Sequence, residues 1–242
     1  MKNSRLAAAF ITAIMIGGCA MLAGSVLKLT AIHQYQFLAL LALAAVTSRM
    51  KVKLPGVTGT MSVNLPFMLI AAAQLSLFEA VIVALVSATV QSLPKNGDHF
   101  RAEKLVFNAS TIVLACGVAA ILMHSARLAA RSGTVTIAAA CGMFFLLNTV
   151  PVATVISLTE GSGLVRIWSS IAHLSFPYYV ACTGVTSMVT MASKLVGWQA
   201  PLLVLPVMLL MYRSFQEYFR HRAEGMELTL PVKAMARGAC AQ

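Results

Sequence analysis

The sequence predicts an all-α integral membrane protein: a polytopic helical bundle of about eight transmembrane segments, with an irregular Pro/Gly segment at 54–64. Three observations carry this. A soluble domain is about 45–50% apolar and about 25% charged, whereas this chain is 59% apolar and 10% charged. Its mean hydropathy is +0.84. Its basic residues stand at the ends of long apolar runs rather than along one polar face. Too little polar surface remains to cover a globule in water, and the same composition excludes a disordered chain.

The first apolar run, Leu6 to Leu27, follows Lys2 and Arg5. It is longer than the roughly 7–15 apolar residues of a secretory signal, so it reads as a span. Ile16-Gly17-Gly18-Cys19 looks like a lipoprotein cleavage box, but Ala20 to Leu27 stays apolar where a mature lipoprotein would turn polar. The Ala20-xxx-Gly24 spacing suits close helix packing. Gln34 to Ser48 is the second span, closed by Arg49, Lys51 and Lys53. In the next segment, Leu54 to Asn64, Pro55, Gly56 and Gly59 argue against helix and the β-branched residues favour extended backbone. It is read as an interfacial or re-entrant loop, with Pro55, Gly56 and Gly59 as its structural motif.

Leu65–Phe78 and Glu79–Leu93 then form a helical hairpin turning near Ser76 and Glu79. After a polar loop, Lys95 to Lys104, come spans at Leu105–Met123, Val135–Leu158, Ile167–Met191 and Trp198–Tyr212. Pro151, Pro177 and Pro206 are expected to kink or break their helices. Residues 1–212 thus form a transmembrane domain and 213–242 a short basic cytoplasmic tail. Ala115-xxx-Ala119 and Ala138-xxx-Gly142 suit either packing within the chain or dimerisation.

The formal net charge of +11 does not point to nucleic acid, because its placement is that of membrane orientation. With the amino terminus in the cytoplasm, only Lys28, Arg127, Arg131 and Lys194 fall outside, leaving fourteen of the 18 basic residues inside. The expected location is therefore a membrane, multi-pass, with both termini cytoplasmic and the bilayer as first partner.

The five cysteines and five histidines are scattered without CxxC or HxxxH spacing, so neither metal nor cofactor is expected. No GxSxG, HExxH or Gly-rich phosphate loop occurs, and no catalytic residue is assigned. Uncharged amides and hydroxyls bind better than they catalyse, so an enzyme is not expected. Polar residues inside apolar spans are costly and face the bundle interior. Those singled out are Asn64, Gln74, Glu79, Gln91, Asn108, Asn148, His173, Tyr178 and Tyr179. Asn64, Gln74, Glu79 and Asn108 are the candidate ligand contacts. Glu79 has a competing role as the cap of a helix start, which the macrodipole favours.

The stretch LPGVTGTMSVNLPFMLIAAAQLSLFEAVIVALVSATVQSL, Leu54 to Leu93, resembles the membrane-embedded N-terminal regions of bacterial signalling proteins. In those proteins the membrane region precedes a GGDEF diguanylate cyclase or an HD-GYP cyclic-di-GMP phosphodiesterase domain. The resemblance lies in Leu54-Pro55-Gly56, Gly59-Thr60, Ser62-Val63-Asn64, and Leu75-Ser76-Leu77 with Glu79-Ala80. It extends to Phe107-Asn108-Ala109-Ser110 and Met211-Tyr212-Arg213-Ser214-Phe215. It implies a sensory or regulatory module of the bacterial inner membrane that here lacks its own output domain. The expected partners are a cytoplasmic signalling protein or a second copy of the chain, and a small-molecule ligand. The pattern is also similar to the substrate-binding membrane subunits of energy-coupling-factor vitamin transporters, which is the alternative.

Overall fold

The computed structural model describes residues 2–27, 34–53, 60–93, 102–125, 133–214, 216–218 and 220. Its helices are α1 (Lys2–Val26), α2 (Gln34–Ser48), α3 (Leu65–Gln74), α4 (Leu77–Ser92), α5 (Ala102–His124), α6 (Gly133–Glu160) and α7 (Leu164–Val196). A 3-10 helix at Gly197–Leu203 follows, then α8 at 204–214. Among the described residues, three helical segments are long and apolar enough to cross a membrane: Arg5–Val26, Ala102–His124 and Gly133–Glu160. Shorter apolar helices are α2, α3 and α4. The fold is helical, as expected. The full set of expected spans is a finer matter, because α3, with 10 residues, is about 15 Å long against a hydrocarbon core of about 30 Å.

The short helix α3 is the centre of the bundle. Residues from Leu65 to Ala72 are all buried, the pattern of a helix enclosed on every side. Its neighbours are α2, α4, α5 and α7. Pro66 fits its first turn, where a missing N–H costs nothing. The hairpin reverses at Leu75 and Ser76, close to the expected turn. There Ser76 and Glu79 form a reciprocal capping box at the start of α4.

The helices alternate in direction. Gln36 meets Gln74 and Asn64 meets Ser48, so α2 and α3 are antiparallel. Asn64 also meets Ser87, which sets α4 antiparallel to α3. Gln74 meets Ser193, while the start of α3 at Leu65 meets Tyr178, so α3 and α7 run parallel. Gly18 lies against Ser110 and Met21 against Gly117, making α1 and α5 parallel as well. One end of the bundle thereby collects Ser48, Asn64 and Ser87, and the other Gln36, Gln74 and Ser193.

Four expectations are corrected or refined. Extended backbone was expected throughout Leu54–Asn64. It occurs at β2 (Thr60–Ser62), paired antiparallel with β1 (Lys51–Lys53) in the register Lys51↔Ser62, Val52↔Met61, Lys53↔Thr60. Pro55, Gly56 and Gly59 lie outside the described residues. The last expected span is not one helix: its first part is 3-10, and α-helix begins only at 204. Gly197 at φ 81° ends α7, and Pro201 lies inside the 3-10 segment, where it cannot donate an α-helical hydrogen bond. Pro151 and Pro177 do not break α6 or α7, each of which is assigned as one continuous helix. The Ala20-xxx-Gly24 surface is not a packing face among the described residues, since a Cβ on Gly24 would meet nothing of them within 4 Å. Gly17 and Gly18 face α5 instead, where Gly18 touches Ser110.

Ala115 and Ala119 are fully buried in α5, so that small-residue pair serves packing within the chain. Ala138 and Gly142 are exposed on α6. Behind them, an aromatic group joins α6 to α7. Phe145 makes edge contacts with Phe176 and Tyr179, and Trp168 donates to Thr149 Oγ1 at 3.2 Å.

Candidate functional site

The four candidate ligand residues fall into separate places. Asn64 is buried, and its amide donates to the hydroxyls of Ser48, at 3.0 Å, and Ser87. Those hydroxyls also bond each other at 2.6 Å. Three helix ends are thereby tied through one amide, and Asn64 is engaged as a structural clamp. Asn108 donates to Ser92 Oγ at 2.9 Å, bridging α5 to the last residue of α4. Asn148 donates to the Tyr179 hydroxyl at 2.8 Å within the aromatic group. His173 is exposed on α7.

Glu79 is fully buried at the start of α4. Its Oε2 accepts from the Ser76 backbone N–H at 2.9 Å and from the Ser76 hydroxyl at 2.7 Å. In return the Glu79 N–H donates to Ser76 Oγ at 3.3 Å. The capping role weighed against ligand contact in the sequence is thus present in full.

Gln74 differs from these, because it borders open space. A cleft of about 300 Å³ is lined by Gln36, Gln74, Thr190, Ser193, Lys194 and Gly197. Gln36 Nε2 donates to Gln74 Oε1 at 2.6 Å, and Gln74 Nε2 donates to Ser193 Oγ at 2.8 Å. The Ser193 hydroxyl donates to the carbonyl of Val189 at 2.8 Å, and the Thr190 hydroxyl donates to the carbonyl of Thr186 at 2.8 Å. The result is a directed chain of hydrogen bonds along one wall. The cleft sits where the start of α2 and the ends of α3 and α7 converge. Its size is at the lower limit of small-molecule sites, which run from about 300 to 1,000 Å³.

Sequence reasoning singled out Gln74 but missed Gln36, Thr190, Ser193, Lys194 and Gly197. The signal available was a polar stripe on α7, Thr186-Thr190-Ser193, at the i, i+4, i+7 spacing that shares one helix face. Thr186, one turn below the cleft wall, is fully buried, and its Oγ1 has no hydrogen-bond partner among the described residues. Gln36 carried no comparable signal, since a glutamine in the first turn of a span is ordinary at a headgroup boundary.

Among the described residues, no group of three or more His, Cys, Asp or Glu is placed to hold a metal ion. Cys116, Cys141 and Cys182 are buried free thiols, and Cys19 is exposed on α1. The Cys116 thiol lies 3.5 Å from the carbonyl of Ala80, where α5 crosses α4.

No curated protein and no solved structure matches this chain. A family model does: MASE9, a membrane-associated sensory-type domain, matches residues 21–220. That range takes in the last six residues of α1, every helix from α2 through α8 and the whole of the cleft. The match covers well over half of the 242 residues, and the chain belongs to the MASE9 family.

Proposed function

We propose that this chain is a sensory module of the bacterial inner membrane that binds a small molecule at the Gln36–Gln74–Ser193 cleft and passes the event to a cytoplasmic partner. The observation that carries the reading is the MASE9 match over residues 21–220. The cleft supports it further, being an open recess lined by amides, hydroxyls and an ammonium beside the apolar core.

In this reading the chain crosses the bilayer about eight times, with both termini in the cytoplasm. The alternating helix directions support that arrangement, as does the placement of basic residues. The cleft then opens on the face away from the cytoplasm, and the Ser48–Asn64–Ser87 clamp lies towards the cytoplasm. The central helix α3 ends in the cleft through Gln74 and begins in the clamp beside Asn64. A shift of α3 on ligand binding is therefore felt at both ends of the bundle. The role is binding and not chemical conversion, since the groups in the cleft are amides, hydroxyls and one ammonium.

The Leu54–Leu93 resemblance supports a partner from cyclic-di-GMP signalling. The second reading, a substrate-binding subunit of a transporter, draws on the same cleft. Affinity purification of the solubilised chain, with mass spectrometry of bound proteins, separates them. Recovery of a cyclase, phosphodiesterase or kinase is the expected result. Recovery of ATPase subunits with a coupling membrane protein would replace sensing by transport.

A further inference from the structure

We infer that the cleft takes a small amino or hydroxy acid: a molecule with one carboxylate and, beside it, a hydrogen-bond donor. The inference deepens the sensory reading and rests on it for its purpose, though not for the chemistry. A glutamine amide carries two N–H donors and one carbonyl. Along the wall, Gln36 uses one N–H on Gln74, and Gln74 uses one N–H and its carbonyl. Among the described residues, one N–H of each amide remains, together with the carbonyl oxygen of Gln36.

Lys194 adds an ammonium at the same rim, and the six lining residues include no carboxylate. Two N–H donors and a cation around one recess suit a carboxylate, because charge-assisted hydrogen bonds are about twice as strong as neutral ones. A bare anion would leave the acceptors of the cleft unused. These are Gln36 Oε1 and the carbonyl ends of α3 and α7, which favour positive charge. A ligand with an ammonium or hydroxyl next to its carboxylate satisfies both sets. The volume of about 300 Å³ suits a small metabolite and not a nucleotide or a long acyl chain.

The test is thermal unfolding of the detergent-solubilised full chain, titrated with alanine and lactate and with their carboxamides alaninamide and lactamide, which keep the ammonium or hydroxyl and lose the carboxylate. The expected result is a saturable rise in Tm with an acid and none with its amide. Lys194→Met, at an exposed position, is expected to weaken that response about tenfold, the value of one charged hydrogen bond. Gln36→Leu is expected to weaken it as well. Amides as effective as acids would overturn the carboxylate assignment while leaving a sensory role intact. No shift with any probe in protein that still unfolds cooperatively would overturn the inference altogether. Recovery of transport subunits in the copurification would instead remove the sensory purpose and leave the ligand class standing.

Discussion

Gly18 shows how one missing methyl group sets the distance between two helices. A Cβ there would lie 2.6 Å from the Ser110 Cβ and 2.7 Å from its Cα, and that backbone has no flexible end to swing away. Gly18→Val is therefore expected to push α1 off α5 and to cost about 1–3 kcal/mol, the usual range for overpacking. Gly142→Ala, with nothing within 4 Å, is expected to be neutral or slightly stabilising. Thermal unfolding of both variants in detergent checks the contrast. At Asn64 the amide holds two hydroxyls from two other helices. Side-chain hydrogen bonds between membrane helices are worth about 0.6 kcal/mol on average and up to about 1.7. Asn64→Ala is accordingly expected to lose about 1–3 kcal/mol, while Asn64→Gln recovers little because its longer arm misplaces the donors. Residue identity announced that Asn64, Gln74, Glu79 and Asn108 had to be satisfied inside an apolar bundle. It did not announce by what: Ser87 is 23 positions from Asn64 and Ser193 is 119 from Gln74. Partners so distant in the chain are set by tertiary packing, which is why Gln36 and Ser193 escaped notice.

At the scale of elements, the α3–α4 hairpin depends on a local rule. Ser76 and Glu79 stand in the Ser-x-x-Glu spacing of a capping box and form it reciprocally. Ser76→Ala is expected to cost about 1 kcal/mol. Glu79→Gln keeps an N3 side chain able to reach back and is expected to preserve abundance, whereas Glu79→Ala lowers it. Quantitative blotting of membrane fractions measures this, and equal abundance of all three variants would remove the cap from the account. Local chemistry of this kind was legible: apolar length and breakers placed α2, the hairpin and the long helices close to where they occur. The strand pairing of Lys51–Lys53 with Thr60–Ser62 was legible only as a tendency to extended backbone, because pairing needs a partner that composition does not name. Replacement of the first part of the last expected helix by 3-10 at Gly197–Leu203 was not foreseen. There apolar composition outweighed Gly197 and Pro201 in the sequence argument, while backbone geometry obeys the breakers.

For the whole molecule, the account joins a short central helix to two polar ends. The helix α7 has 33 residues, about 50 Å at 1.5 Å per residue, and so exceeds a hydrocarbon core of about 30 Å. Its two termini mark the two faces of the bundle, with Ser162 just before one and Lys194 near the other. If the chain is a sensor open to the outside, the cleft must be reached from outside the cell. The most direct measurement is labelling of Ser162→Cys and Lys194→Cys in intact bacteria with a membrane-impermeant thiol reagent, with the unmodified chain as background for Cys19. The account predicts that Lys194→Cys labels in intact cells and Ser162→Cys only after permeabilisation. The reverse pattern would place the cleft in the cytoplasm, and equal labelling of both would contradict a spanning α7.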